Sequence, residues 1–238
     1  TAKDGGIIAQ KERCIGQLVV STTPLPNCDN ESIIRAICNK VKKDGASVLN
    51  WSDEVRSLQL RIHLVSEWHP ELHIPDVSTD YLLSICTEWL PFYLTEGNKV
   101  RSTLNDLKRI DIKEVIWALI PYELQNDINR LAPIHIQVPT GSHIRIDYRQ
   151  GAEAPIVSVR LQECFGLQDT PRVNDGKQPV LMELLSPGFK PVQLTQDLRS
   201  FWDNAYFEVR NELRRRYPKH AWPDNPLEAQ AVRGVKRK

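Results

Sequence analysis

Seven apolar residues near one end of the chain, Leu198, Phe201, Trp202, Ala205, Val209, Leu213 and Tyr217, recur at steps of three and four. That period puts them on one stripe of a helix. Thr195 can act as its N-cap, because a hydroxyl accepts from the free amides of the first turn. Arg214, Arg215 and Arg216 fill the last turn, where cations meet the negative end of the helix dipole. Pro218 stops the helix, and Tyr217 to Pro226 (YPKHAWPDNP) continues as an extended proline and aromatic strip. So apolar a stripe must be buried, and the remaining chain has to supply the surface that buries it.

The segment just before this helix supplies strands. From Pro133 the apolar period switches to two: Ile134, Ile136 and Val138 alternate with His135 and Gln137, and Ile144, Ile146 and Tyr148 alternate with His143, Arg145, Asp147 and Arg149. Pro139-Thr140-Gly141-Ser142 between the runs makes this a hairpin with one apolar and one wet face. Residues 156–160, 179–185 and 191–194 are further strands. Short strands cannot leave one face bare, which predicts a small antiparallel sheet or open barrel capped by the long C-terminal helix.

Upstream the pattern is helical. Ile33, Ile34, Ile37, Cys38 and Val41 form a stripe ending at Gly45, and Ser52 caps a second helix with Val55, Leu58, Ile62 and Val65 inward. Ser78 or Thr79 opens a third that Pro91 ends; Asp111 with Glu114 opens a fourth, and Pro121 a fifth through Leu131. Ile7 and Ile8, then Cys14 to Val20, suggest two strands that have lost partners or pair with each other. The expected class is therefore α+β, with residual strands over 1–23, a helical region over 24–133 and a β-rich domain over 134–238. The residues after Pro226 read as a disordered basic tail.

Composition narrows the function. The net charge is only +1 with 26% charged residues, so any attraction to nucleic acid has to be local. No apolar run approaches the length of a membrane span, and no signal-peptide pattern opens the chain. The five cysteines form no Cys-x-x-Cys, which fits reduced thiols in a cytoplasmic protein. Thr1 is not an initiator Met, which suggests a piece of a longer protein.

The run GFKPVQLTQDLRSFWDNAYFEVRNELRRRYPKHAWPDNP resembles the C-terminal end of the HrpB family of bacterial DEAH-box ATP-dependent helicases. A second block, Ala132 to Tyr148 followed by Val159 to Leu167, matches independently, and residues 24–131 match more loosely. The resemblance implies an OB-like barrel before the first strands, RecA-like motor domains in the parent chain as partner, and ATP with magnesium bound there. This chain holds no Gly-x-x-x-x-Gly-Lys-Ser/Thr and no Asp-Glu-Ala-His, so no cofactor or catalytic residue is expected in it.

Single-stranded RNA or DNA is the ligand the resemblance implies, with no membrane partner. Arg145 and Arg149 on the wet hairpin face, with Arg160 nearby, can contact phosphates, and Tyr148 or Trp222 can stack bases. Arg214, Arg215, Arg216 and Lys219 form the densest basic cluster. The plainer readings are that Asp147 and Glu153 neutralise the hairpin, and that Glu208 and Glu212 pair with the arginines. A module that only docks on protein is the alternative function. His69 and His73 stand four apart as metal ligands can, but Pro70 between them favours a polar loop.

Overall fold

The computed structural model describes residues 10–24, 28–97 and 99–235. The chain divides into two compact units, Thr1–Gln59 with Pro75–Pro121, and Leu60–Ile74 with Tyr122–Lys238. This grouping differs from segments cut at 23 and 133. Helix α2 (Asp53–Trp68) is divided between them: the buried Val55 and Leu58 belong to the first unit and the buried Arg61, Ile62 and Val65 to the second, a division that a linear pattern cannot reveal.

In the first unit, β1 (Gln10–Ile15) and β2 (Leu18–Pro24) pair with each other as an antiparallel hairpin. Ile7 and Ile8 lie outside the described residues. Helix α1 (Asn30–Asp44) starts where the Asp29 carboxylate accepts from Ser32 N and ends at Gly45, whose φ of 48° suits glycine. It packs on α4 (Cys86–Leu94), where each of the two buried thiols Cys38 and Cys86 donates to the other's carbonyl.

Before α4 comes α3 (Thr79–Ser84), capped by Ser78. Pro91 does not end this helical stretch as expected; the break falls earlier, at Ile85, and Pro91 lies inside α4. The amide it lacks would have reached back only to the first turn, and its own carbonyl accepts from Thr95 N and Oγ1 to close the helix. A small hairpin of β3 (Thr95–Glu96) and β4 (Lys99–Val100) leads to α5 (Leu104–Lys108), which hydrophobic spacing did not reveal but a Thr103/Asp106 capping box starts. Asp111 then caps α6 (Ile112–Leu119).

The second unit begins with the latter half of α2 and continues with α7 (Tyr122–Leu131). Arg61, 2% exposed, donates from Nε to Ala132 O at 2.6 Å and from Nη2 to Asn129 Oδ1 at 2.8 Å, which satisfies a buried cation with the end of α7. The expected hairpin is β5 (His135–Gln137) with β6 (His143–Arg145). Beyond it, β7 (Ile156–Arg160), β10 (Leu181–Leu185) and β11 (Pro191–Thr195) form a sheet in the order β11-β10-β7, with the small hairpin β8 (Arg172–Val173) and β9 (Gln178–Pro179) between β7 and β10 in sequence.

The α+β class holds, but the sheet is mixed rather than antiparallel. β10 runs antiparallel to β11 and parallel to β7. The crossover needed for a parallel neighbour is the stretch 161–180, which the sequence does not mark as a return. Among the described residues the sheets remain small and separate, with no closed barrel. Val157, Val159, Met182 and Leu184 are buried in register on one face.

His69 links the turn after α2 to the loop before β9. Its Nδ1 lies 2.8 Å from Glu71 Oε1 and its Nε2 lies 2.7 Å from Asn174 Oδ1. Both partners are acceptors, so the ring is best satisfied as imidazolium, and its pKa is raised by Glu71 first and then by Asn174. A raised folded pKa contributes stability that is complete below the unfolded value and is lost as pH rises through the folded value. An NMR titration is expected to place His69 above 6.5, with the melting temperature of the protein falling more steeply above that pH than for His69→Gln. A titration at or below 6.5 contradicts this account.

Candidate nucleic-acid interface

The basic cluster depends on the helix that carries it. Asp197, not Thr195, is the cap: its carboxylate accepts from Ser200 N, while Thr195 Oγ1 bonds the Asp197 backbone. After α8 (Leu198–Ser200) the backbone widens into a π turn over Phe201–Ala205, with Tyr206 N donating to Phe201 O, before α9 (Tyr206–Arg216) resumes. At the wide turn Phe201, Trp202 and Tyr206 gather with Phe165, and Trp202 lies 5.0 Å from Phe201 and 5.4 Å from Tyr206 between ring centroids. All four are buried. Their polar atoms are satisfied: Trp202 Nε1 donates to Leu167 O and Tyr206 OH to Pro223 O, both at 2.8 Å.

The strip after the helix is stitched down. Trp222 Nε1 donates to Tyr217 O, Gln162 Nε2 to Ala221 O, and Arg210 bonds Pro223 O and the Asp224 carboxylate. The residues after Pro226 correct the expected disordered tail as far as Val235: Pro226 O accepts from Gly166 N, Val232 N donates to Gln162 O, and Arg233 reaches Thr140 O.

This scaffold leaves Arg214, Arg215, Arg216 and Lys219 exposed at the end of α9. Only Arg216 of these faces a carboxylate among the described residues, Glu212 at 3.5 Å; Glu208 takes no part. The hairpin arginines sit elsewhere. Arg145 is exposed on β6 opposite His135, and Arg149 is exposed and paired to Asp147 at 2.6 Å, as the plainer reading supposed. Arg149 also lines a small open cleft of about 160 Å³ with Trp68, Tyr148 and Gln178. No hydrogen bond, ion pair or ring contact among the described residues joins the two basic groups.

Three supporting assignments change. Tyr148 cannot stack a base, since it is 3% exposed, its OH donates to Pro133 O and burial pushes its pKa up. Trp222 is half-buried against the strip. Arg160 is not a free phosphate contact: its Nε and Nη2 hold Glu163 Oε1 at 2.9 and 2.8 Å. Burial alone would raise the Glu163 pKa, but donors from Ser142, Arg160 and Thr140 outweigh it and hold the carboxyl below its usual range. Spacing along the sequence gave no sign of this pair, nor of Phe189, the exposed aromatic beside it.

Among the described residues no group of three or more His, Cys, Asp or Glu could hold a metal ion, and no strand leads through a glycine-rich loop into a helix. No helix of the described residues is long and apolar enough to cross a membrane.

The chain belongs to the ATP-dependent helicase C-terminal family, HrpB_C, whose sequence model matches residues 89–226. It is 37% identical over 233 residues to the ATP-dependent RNA helicase HrpB of Escherichia coli strain K12, covering 98% of this chain and 28% of that protein. Two solved E. coli structures share the fold. A DExH-box NTPase HrpB superposes with a TM-score of 0.80 at 38% identity, over 94% of this chain and 27% of that one. A DEAH/RHA helicase HrpB gives 0.69 at 36%, over 90% and 26%. The chain thus spans about a quarter of the length of the relatives it matches.

Proposed function

We propose that the chain is the accessory C-terminal module of a cytoplasmic HrpB-like ATP-dependent RNA helicase, helping to hold single-stranded nucleic acid, RNA first, and docking on the RecA-like motor domains of the parent chain. Those motor domains bind ATP and magnesium and perform the hydrolysis. The observation that carries the nucleic-acid role is the exposed end of α9, where Arg214, Arg215, Arg216 and Lys219 offer cations with a single facing carboxylate. A helix C-terminus repels phosphate through its dipole, so the side chains supply all of the attraction.

One observation favours the docking role. The β1–β2 hairpin leaves Ile15 and Leu18 about three-quarters exposed, with Val19 and Val20 exposed beside them. Such a ridge fits a contact with other parts of the parent chain.

Changing Arg214, Arg215 and Arg216 together to Ala is expected to weaken single-stranded RNA binding and to flatten its salt dependence. Each lost phosphate contact removes about 0.7 from the slope of log K against log salt. Equal affinity and slope in the variant would contradict the phosphate role.

A further inference from the structure

The turn between β10 and β11 presents Phe189 in an unusual way. Its φ is 60°, a left-handed conformation that bulky residues avoid, and the residue is 66% exposed. The buried Ser186 enforces this shape. Its N donates to Lys190 O, its carbonyl accepts from Phe189 N, and its Oγ accepts from Lys190 N. The ring is backed by a cation, with the Arg160 guanidinium 5.0 Å from its centroid. Arg160 cannot drift, because Glu163 holds it from the other side and is itself held by Ser142 and Thr140.

A ring used as core filler would be covered, and a surface ring of no consequence would not need a strained backbone and a clamped cation behind it. The place of the turn adds a second point. Gly188 lies so close to the Tyr217 hydroxyl that a Cβ there would stand 2.7 Å from it. The turn therefore abuts the end of α9, where Arg216 and Lys219 flank Tyr217 in sequence, and Lys190, next to Phe189 in the chain, adds an exposed cation to the turn.

We infer that Phe189 is a stacking platform for an unpaired nucleobase, with Lys190 and the cations at the end of α9 taking the adjoining phosphates. An aromatic face combined with a cationic backbone track is how single strands are held without sequence preference, since every base has a π face. This inference rests on the nucleic-acid reading of the α9 cluster and assigns it a stacking residue.

The test is binding of a fluorescent single-stranded oligoribonucleotide to the protein, to Phe189→Ala and to Phe189→Trp, each checked for an unchanged melting curve, across a salt series. The expected result is binding at least about fivefold weaker for Phe189→Ala with an unaltered salt slope, because no charge is removed, and binding restored by Phe189→Trp. Wild-type affinity in Phe189→Ala would overturn the platform while leaving the arginine cluster standing. Absence of binding by the unmodified protein at low salt would overturn the nucleic-acid reading and the platform with it.

Discussion

Trp202→Ala costs the protein about 3–5 kcal/mol of unfolding free energy, the range for emptying a large aromatic site. The indole touches Phe165, Phe201 and Tyr206, and its Nε1 satisfies Leu167 O, so truncation opens a cavity and leaves a carbonyl without its donor. The neighbours cannot collapse into the space, because Tyr206 is tethered to Pro223 and the π turn fixes Phe201. Urea unfolding followed by tryptophan-independent circular dichroism checks this. A loss below about 1 kcal/mol, with an unchanged denaturant slope, would show that the ridge is not the core of its unit.

Arg160→Met is expected to cost about 3 kcal/mol, since removing one partner of a buried pair strands the other. Glu163, with 7% of its side chain exposed, keeps only the hydroxyls of Ser142 and Thr140. The pH dependence separates this from simple loss of packing. In the unmodified protein the depressed carboxyl contributes stability that is present above its unfolded pKa near 4.5 and is lost as pH falls through the folded value. Without Arg160 the carboxyl loses two of the influences that lower its pKa and titrates above its place in the unmodified protein, so the deficit of the variant narrows as the medium is acidified from 7 toward 4. A deficit constant over that range would contradict the role given to the ion pair.

The residues that sequence reading placed well are those whose signals are local. Leu198, Phe201, Trp202 and Leu213 are buried as their spacing demands, Gly45 closes α1, and Ser78 and Asp111 cap the helices they were expected to cap. The β5–β6 hairpin follows from alternation across a Gly-containing turn. What spacing concealed depends on partners distant in the chain. The parallel match of β10 to β7 needs a crossover of some twenty residues that resembles a string of turns, and the residues of α2 are divided between two units. Arg160 reads as one more surface cation until Glu163 is brought against it, and Phe189 follows Gly188, where a glycine would be expected to carry the positive φ. The basic cluster was legible as charge in Arg214 to Arg216, whereas the exposed Phe189 was not, because a lone Phe in a turn has no periodicity to announce it.

The most direct measurement is the salt dependence of single-stranded RNA binding by this chain. With three or four phosphate contacts from the end of α9, log K is predicted to fall against log salt with a slope of about −2 to −3. No detectable binding at low salt, or an affinity indifferent to salt, would contradict the claim that the chain grips nucleic acid.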